Sequence, residues 1–303
     1  MTRSRSIKLY QIDAFTRELF AGNPAGVVLE AEVLSSFEMQ AIAREMNCSE
    51  TAFVLPAPTL GADLRIRYFT PTVEVPSCGH ATIAAHYIRA KKEGLAHRTS
   101  FRTETGAGVL DVEVIPDGED LVVCMKQATP AFGKVLQEAQ LEGLIAALGL
   151  EYDDIRANAL VQIVSTGHSK VIVPLRSAEA LGRIRRTEAA LVQLSSEIGC
   201  NGYFPFAFLE GRDAMTIGRM FAPAIGISED PVTGNANGPL GAYLVQHRLV
   251  VHDGNRFSFR ATQGEHVGRP GSMDVSVDIR EGQPSSVRIY GQAVLALEGE
   301  CSL

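Results

Sequence analysis

Three side chains suited to moving protons stand beside turns or helix starts. They are Glu50 in Ser49-Glu50-Thr51-Ala52-Phe53, His80 in Cys78-Gly79-His80-Ala81-Thr82, and Asp230 in Glu229-Asp230-Pro231-Val232-Thr233-Gly234. A carboxyl group sheltered from water is an effective general acid/base, and an imidazole exchanges protons near neutral pH. A second carboxylate can orient a substrate or balance its charge. Cys78 adds a thiol at a helix start, where the thiolate is favoured. Gly79 and Gly234 let backbone N–H groups approach a ligand, and a helix N-terminus attracts anions through its unpaired N–H groups. Asn23, Thr233 and Asn235 supply further polar groups for binding a substrate. Taken singly, each residue also has a plainer explanation. A His at a helix start bonds a loop carbonyl, an Asp before Pro caps a turn, a Glu at a helix end is solvated, and a Cys packs as a small apolar residue.

These passages occur in two related copies. Arg67-Tyr68-Phe69-Thr70-Pro71 leads to the first helix start, and Arg219-Met220-Phe221-Ala222-Pro223 leads to the second. The spacing is 152 residues for Arg, Phe and Pro alike, and again for Cys48 and Cys200. Two related half-structures imply a cleft between them. Unlike residues in the two loops, His80 against Asp230, imply that the cleft acts asymmetrically. Two helix N-termini facing it would hold a carboxylate without Lys or Arg.

The elements that position these residues follow from periodicity. Residues 7–15 alternate as a strand, and Ala25–Leu29 is a second, more buried one. Ser35 and Glu38 form a capping box for a helix to Met46. Strands are expected at 51–55 and 64–70, then a helix over 81–90 that is apolar nearly all round and therefore buried. Strands at 99–103, 108–115 and 121–126 complete the first half. In the second half a helix at 138–149 precedes strands at 160–165 and 170–174. A helix at 187–198 and strands at 203–209 and 217–221 follow. The loop 222–235, a helix at 236–247 and strands at 256–261, 273–279 and 286–297 close the chain. Strands often follow one another directly, so simple βαβ alternation does not fit. The pattern predicts an α+β protein of two pseudo-symmetric domains, each a mixed or antiparallel sheet wrapped around a central helix. The domains are placed at 1–126, joined by the C-terminal strand 286–303, and at 127–285.

A length of 303 residues with 46% hydrophobic content suits two such domains. The formal net charge of −7 argues against nucleic acid as a partner. No apolar run reaches the ~18 residues of a membrane helix, and Met1–Ser6 lacks the apolar core of a signal peptide. The five cysteines are scattered, with no zinc spacing and no Cys-x-x-Cys pair. These features predict a cytoplasmic protein without structural metal or disulfides. Dinucleotide, P-loop, nucleophile-elbow and His-Glu-x-x-His templates are absent from the sequence.

Assembled in order, the chain resembles the phenazine-biosynthesis isomerase family, the PhzF-like proteins. The matching pieces are Gln11-Ile12-Asp13-Ala14-Phe15, Gly22-Asn23-Pro24-Ala25, Asn47-Cys48-Ser49-Glu50-Thr51-Ala52-Phe53, Phe69-Thr70-Pro71, Cys78-Gly79-His80-Ala81-Thr82, Ser165-Thr166-Gly167-His168, and Arg219 through Gly234. The resemblance implies a diaminopimelate-epimerase-like fold, a homodimer, a small carboxylated substrate, and catalysis without metal or organic cofactor. It places the catalytic glutamate at Glu50, the glycine–histidine pair at Gly79 and His80, and the aspartate at Asp230. In related epimerases two thiols move the proton. Cys78 matches the first position, and Pro231 stands near the second, which favours Glu-based isomerisation. A Cys78-assisted racemase and a non-catalytic small-molecule binding protein are the alternatives.

Overall fold

The structure, a computed structural model, describes residues 5–303. Met1–Ser4, part of the segment expected to lack a signal-peptide core, lie outside the described residues. The chain divides into two units, Met1–Lys126 with Tyr290–Leu303 and Gln127–Ile289. The chain returns to the first unit at Tyr290, later than the expected residue 286. Ser285 donates to Asp278 O, Arg288 pairs with the Asp278 carboxylate at 2.6 Å, and Val287 O accepts from Gln127 N at 2.9 Å.

The first unit contains β1 (Ser6–Ala14), β2 (Asn23–Val28), α1 (Ser36–Met46), β3 (Thr51–Pro56), β4 (Leu64–Phe69), β5 (Glu74–Val75), α2 (Gly79–Glu93), β6 (Thr99–Thr105), β7 (Gly108–Asp117) and β8 (Asp120–Lys126). β2 runs antiparallel to β1 and parallel to β3. β3 is antiparallel to β4, β4 parallel to β6, and β6, β7 and β8 form a meander. α2 packs on β1, β2, β3, β7 and β8, so the sheet curls around it. Every residue from His80 to Ile88 is buried, which explains why this helix is apolar on all sides. Its last turn carries Lys91 and Lys92, and Gly94 ends it in the left-handed conformation. The Ser35–Glu38 capping box starts α1, which packs on β3 and β4.

The second unit contains β9 (Ala131–Val135), α3 (Glu138–Leu148), β10 (Gln162–Ser165), β11 (Ser169–Pro174), α4 (Ala178–Arg183), α5 (Glu188–Ile198), β12 (Tyr203–Phe208), β13 (Thr216–Gly218), β14 (Met220–Ala222), β15 (Ile227–Asp230), α6 (Gly234–Gln246), β16 (Arg256–Gln263), β17 (Gly271–Arg280) and β18 (Gln283–Gly291). The pairing sense of the first unit is repeated. β10 and β11 are antiparallel, β11 and β12 parallel, β12 and β13 antiparallel, β13 and β16 parallel, and β16 and β17 antiparallel. α6 is the central helix, packed on β10, β11, β16 and β17. The last strand, β19 (Ala293–Ser302), runs antiparallel to β1 from Ser6↔Ser302 to Ala14↔Ala293. Each unit is thus a mixed sheet around one helix, as the strand and helix order predicts.

Three expected elements change. The strand 217–221 is two, β13 and β14, separated at Arg219. Pro205 on β12 has no N–H to give back to the ladder, although its carbonyl still accepts from Arg219 N at 3.0 Å. The strand 286–297 is also two, β18 and β19. At Gly291 a Cβ would lie 2.8 Å from both Ile83 and Phe15, so the chain bends there without a side chain. The loop 222–235 contains the short strand β15, paired with β14 from Met220↔Asp230 to Ala222↔Ile227. Among the described residues no helix is long and apolar enough to cross a membrane.

Candidate active site

In the first unit, α1 ends at Asn47, whose left-handed conformation (φ 50°) turns the chain into Cys48-Ser49-Glu50. β2 fixes the backbone there, because Gly26 N donates to Glu50 O at 3.1 Å. Gly26 is required by its neighbour, since a Cβ would lie 2.5 Å from Thr51 Oγ1. Cys78 is the N-cap of α2, and Gly79 and His80 form its first turn. This brings Glu50 and His80 together, with Oε2 and Nε2 3.5 Å apart, a pair that is ionic only when the imidazole is protonated. Ser49 Oγ lies 3.2 Å from the same Nε2, and Cys78 Sγ lies 3.4 Å from His80 Nδ1. His80 is buried and Glu50 is half-buried. The ligand atoms of Glu50, Cys78 and His80 lie within 4.8 Å of one another, an O, S, N set that could hold a zinc-like ion. Asn23 is fully buried at the start of β2, the strand that pairs with β3 beside Glu50.

Two residues that the sequence reading passed over hold the cap. Thr82 Oγ1 donates to Cys78 O at 2.7 Å and meets Tyr68 Oη at 2.6 Å. Burial pushes the Tyr68 phenol above its ordinary range, so it remains a neutral hydrogen-bonding group. Thr82 closes the Cys78–Thr82 motif, and its four-residue distance from Cys78 is the spacing of a hydroxyl that bonds back along a helix.

In the second unit the corresponding loop is held by a network of buried side chains. Thr233 is the N-cap of α6, but its hydroxyl donates to Asp230 Oδ2. Gln263, buried on β16, accepts from Thr233 N at 3.1 Å and donates to Asp230 O at 2.8 Å. Asn237 donates to Thr233 O at 3.1 Å and to Gln263 Oε1 at 3.2 Å. Gln127 donates to Gly234 O at 3.0 Å and Asn235 Oδ1 at 3.3 Å, and accepts from Thr166 at 2.6 Å. Gly238 makes room for it, since a Cβ there would sit 1.7 Å from Gln127 Oε1. Asp230, Thr233, Gly234 and Asn235 are therefore one hydrogen-bonded constellation. Neither Gln127 nor Gln263 lies in a recognisable motif, so nothing in the sequence signals them.

Aligning the two helix caps corrects the sequence correspondence. Cys78, Gly79 and His80 match Thr233, Gly234 and Asn235, so the counterpart of His80 is Asn235 rather than Asp230. Thr233, and not Pro231, stands where a second thiol would be. The loop preceding α6 is three residues longer than its partner relative to the Arg-Phe-Pro passage, which shifts the register. Neither helix has a side-chain N-cap bond, unlike α1. Both starts thus keep backbone N–H groups oriented for an anion.

The profile of the family described as "Phenazine biosynthesis-like protein" (PhzC-PhzF) matches residues 12–299. An uncharacterized isomerase from Clostridium acetobutylicum is 49% identical over 300 residues, 99% of each chain. The trans-2,3-dihydro-3-hydroxyanthranilate isomerase of Pseudomonas aeruginosa is 33% identical over 293 residues, 96% of this chain and 98% of that one. The crystal structure of a PhzF-family phenazine biosynthesis protein from Bacillus anthracis superposes with a TM-score of 0.88 at 32% identity, covering 98% of this chain and 99% of that one. A hydroxyproline epimerase from Agrobacterium vitis shares the fold alone, with a TM-score of 0.65 at 13% identity over 100% of this chain and 94% of its own. The chain therefore belongs to the PhzC-PhzF family of phenazine biosynthesis-like proteins and has the diaminopimelate-epimerase-like fold.

Proposed function

We propose that this isomerase moves a proton between two carbons of a small carboxylated metabolite, using Glu50 as general acid/base and neither metal nor organic cofactor. The observation that carries this reading is the Glu50–His80 contact of 3.5 Å at the start of a helix with no side-chain cap. Glu50 takes a proton from an activated C–H and returns it to another carbon of the same conjugated system. The Glu50 carboxylate acts beside an imidazole that can carry positive charge, so charge developing during transfer is balanced locally. Asp230, fixed by Thr233, orients the substrate. Asn23, Cys78, Gly79, Thr233, Gly234 and Asn235 contribute binding groups, with backbone N–H groups holding the carboxylate. The name of the Pseudomonas relative supports a dihydro-hydroxyanthranilate-like substrate class. We also propose a cytoplasmic homodimer, to be checked by light scattering of the purified protein.

The test is NMR of candidate carboxylated amines and cyclic dienes in deuterated water, beginning with trans-2,3-dihydro-3-hydroxyanthranilate. Deuterium should enter substrate or product with wild type and not with Glu50→Gln. Exchange at the wild-type rate in a folded Glu50→Gln protein would rule out the assignment. One observation favours a second reading: Cys78 Sγ lies 3.4 Å from His80 Nδ1, close enough for the imidazole to accept the thiol proton. That reading predicts α-proton exchange lost in Cys78→Ser. A binding-only role predicts ligand binding with no exchange, and the isomerase names of the relatives weigh against it.

A further inference from the structure

The repeated pairing allows the halves to be compared position by position. In the first, Gly26 N donates to Glu50 O, just before β3, at 3.1 Å. In the second, Val171 N donates to Gly202 O, just before β12, at 2.7 Å. Gly202 therefore stands where Glu50 stands, and it has no side chain. A Cβ built on it would lie 2.4 Å from Cδ, 2.9 Å from Cε and 3.3 Å from Nζ of Lys170. The end of the Lys170 side chain fills the space in which a side chain at the Glu50 position would begin.

Lys170 is half-buried, and its stem packs over Gly202. Its ammonium has three donors, of which one is used, toward Ser169 O at 3.2 Å. It forms no ion pair within 4 Å among the described residues. Burial draws it below the ordinary lysine range, and Cys200 and the Asp230 carboxylate oppose that shift; His168 is the other titratable group close enough to feel its charge. The Asp230 carboxylate attracts the ammonium from a distance, and one of its oxygens already accepts from Thr233. Two donors of a sheltered cation are thus left for an anion.

We propose that Lys170 is an anion-binding residue that receives a carboxylate of the substrate, and that position 202 is glycine to admit it. The proposal rests on the carboxylated-substrate reading and deepens it. The sequence pattern pointed to carboxylate binding by helix starts alone, whereas here a lysine adds a formal charge.

Trinitrobenzenesulfonate, an anionic amine reagent, tests this when its labelling of the native protein is followed lysine by lysine by peptide mass spectrometry. Anthranilate serves as the carboxylate probe. Lys170 should be labelled, and anthranilate at about ten times its dissociation constant should slow that labelling about tenfold while leaving exposed Lys134 unaffected. Gly202→Ala keeps the lysine but displaces its flexible end, so the protection should be lost in a folded protein. Labelling of Lys170 that anthranilate does not slow, or no labelling there at all, overturns the proposal. Deuterium exchange is scored separately. Exchange by wild type without protection of Lys170 would reject the lysine and keep the isomerase mechanism. Protection without any exchange would do the reverse.

Discussion

At the start of α2, Arg67 grips Glu74 through two hydrogen bonds of 2.8 and 2.7 Å and lies over Phe69. At the start of α6, Arg219 grips Glu229 through bonds of 2.8 and 2.7 Å and lies over Phe221. The frame is duplicated down to the aromatic ring, but its surroundings are not. The side chains of Arg67 and Glu74 are 18% and 43% exposed, and those of Arg219 and Glu229 only 8% and 7%. Arg219 also donates to Leu181 O at 2.8 Å, and Arg186 adds a second cation to Glu229 at 3.2 Å. The first half carries Glu50, Cys78 and His80 in one cluster. The second half carries Asp230 and Thr233 in a dense network. The first half carries the proposed general acid/base, and the second carries the more deeply buried ion pair.

The largest test of that division is Glu50→Gln, expected to slow exchange about 10³-fold, within the range for a general acid/base. Exchange rates by NMR would check it, and a loss under tenfold would return the chemistry to another residue. Next come the two ion pairs. Arg219→Met leaves the buried Glu229 with Arg186 as its remaining cation and should cost about 2–3 kcal/mol in urea unfolding. Arg67→Met should cost about 1 kcal/mol or less. Equal costs would erase the structural contrast between the halves.

The central helices differ at a third place. His86 is buried in α2, with Nε2 2.9 Å from Thr103 Oγ1, while α6 has Gly241 at the matching position, with Val275 closing to 2.9 Å of where a Cβ would be. Burial, with a smaller contribution from Arg89, pulls the His86 imidazole down to about 3 from 6.5. The unfolded chain then binds the proton more readily than the folded one between those values. Stability is full above about pH 6.5 and falls as the pH drops toward 3. His86→Gln should remove on the order of 2 kcal/mol of the loss between pH 7 and pH 5, read by urea unfolding at both. An unchanged loss would show that this imidazole is not the acid-sensitive group.

Gln263→Leu should cost about 1–3 kcal/mol, because it strips partners from Thr233 N and Asp230 O. It should also slow exchange while leaving the Glu50 side intact, and exchange unaffected by it would make the network purely structural. The smallest effect is expected from Cys78→Ser. Under the Glu50 mechanism it retains most activity, and loss of exchange would move the reaction to the thiol.

Local rules read well from the sequence where the signal is local. Ser35 and Glu38 specify their capping box three residues apart, and the all-apolar run from Ala81 specifies a buried helix. The reach of that helix was less legible. It begins at Gly79 because Cys78 takes an extended conformation (φ −151°), which only the surrounding loop imposes. Residues Glu50, Cys78 and His80 were legible as candidates because each sits at a chain reversal. Their mutual distances were not, being set by the β2–β3 pairing. Gln127, Gln263 and Lys170 were illegible for a different reason. An amide or a lysine on a strand carries no pattern until pairing shows what it faces, and Gly202 has meaning only beside Glu50.

The pairing of β19 with β1 has a consequence for how the chain is made. Ser6 has its partner at Ser302, 296 residues further along the chain. During synthesis the β1 edge emerges early and stays unpaired on that side until β19 has been made. The second unit, continuous from Gln127 to Ile289, is fully synthesised before that final strand. Birth order and folding order are therefore reversed: the half translated first is completed last, and its open edge needs shelter in the meantime.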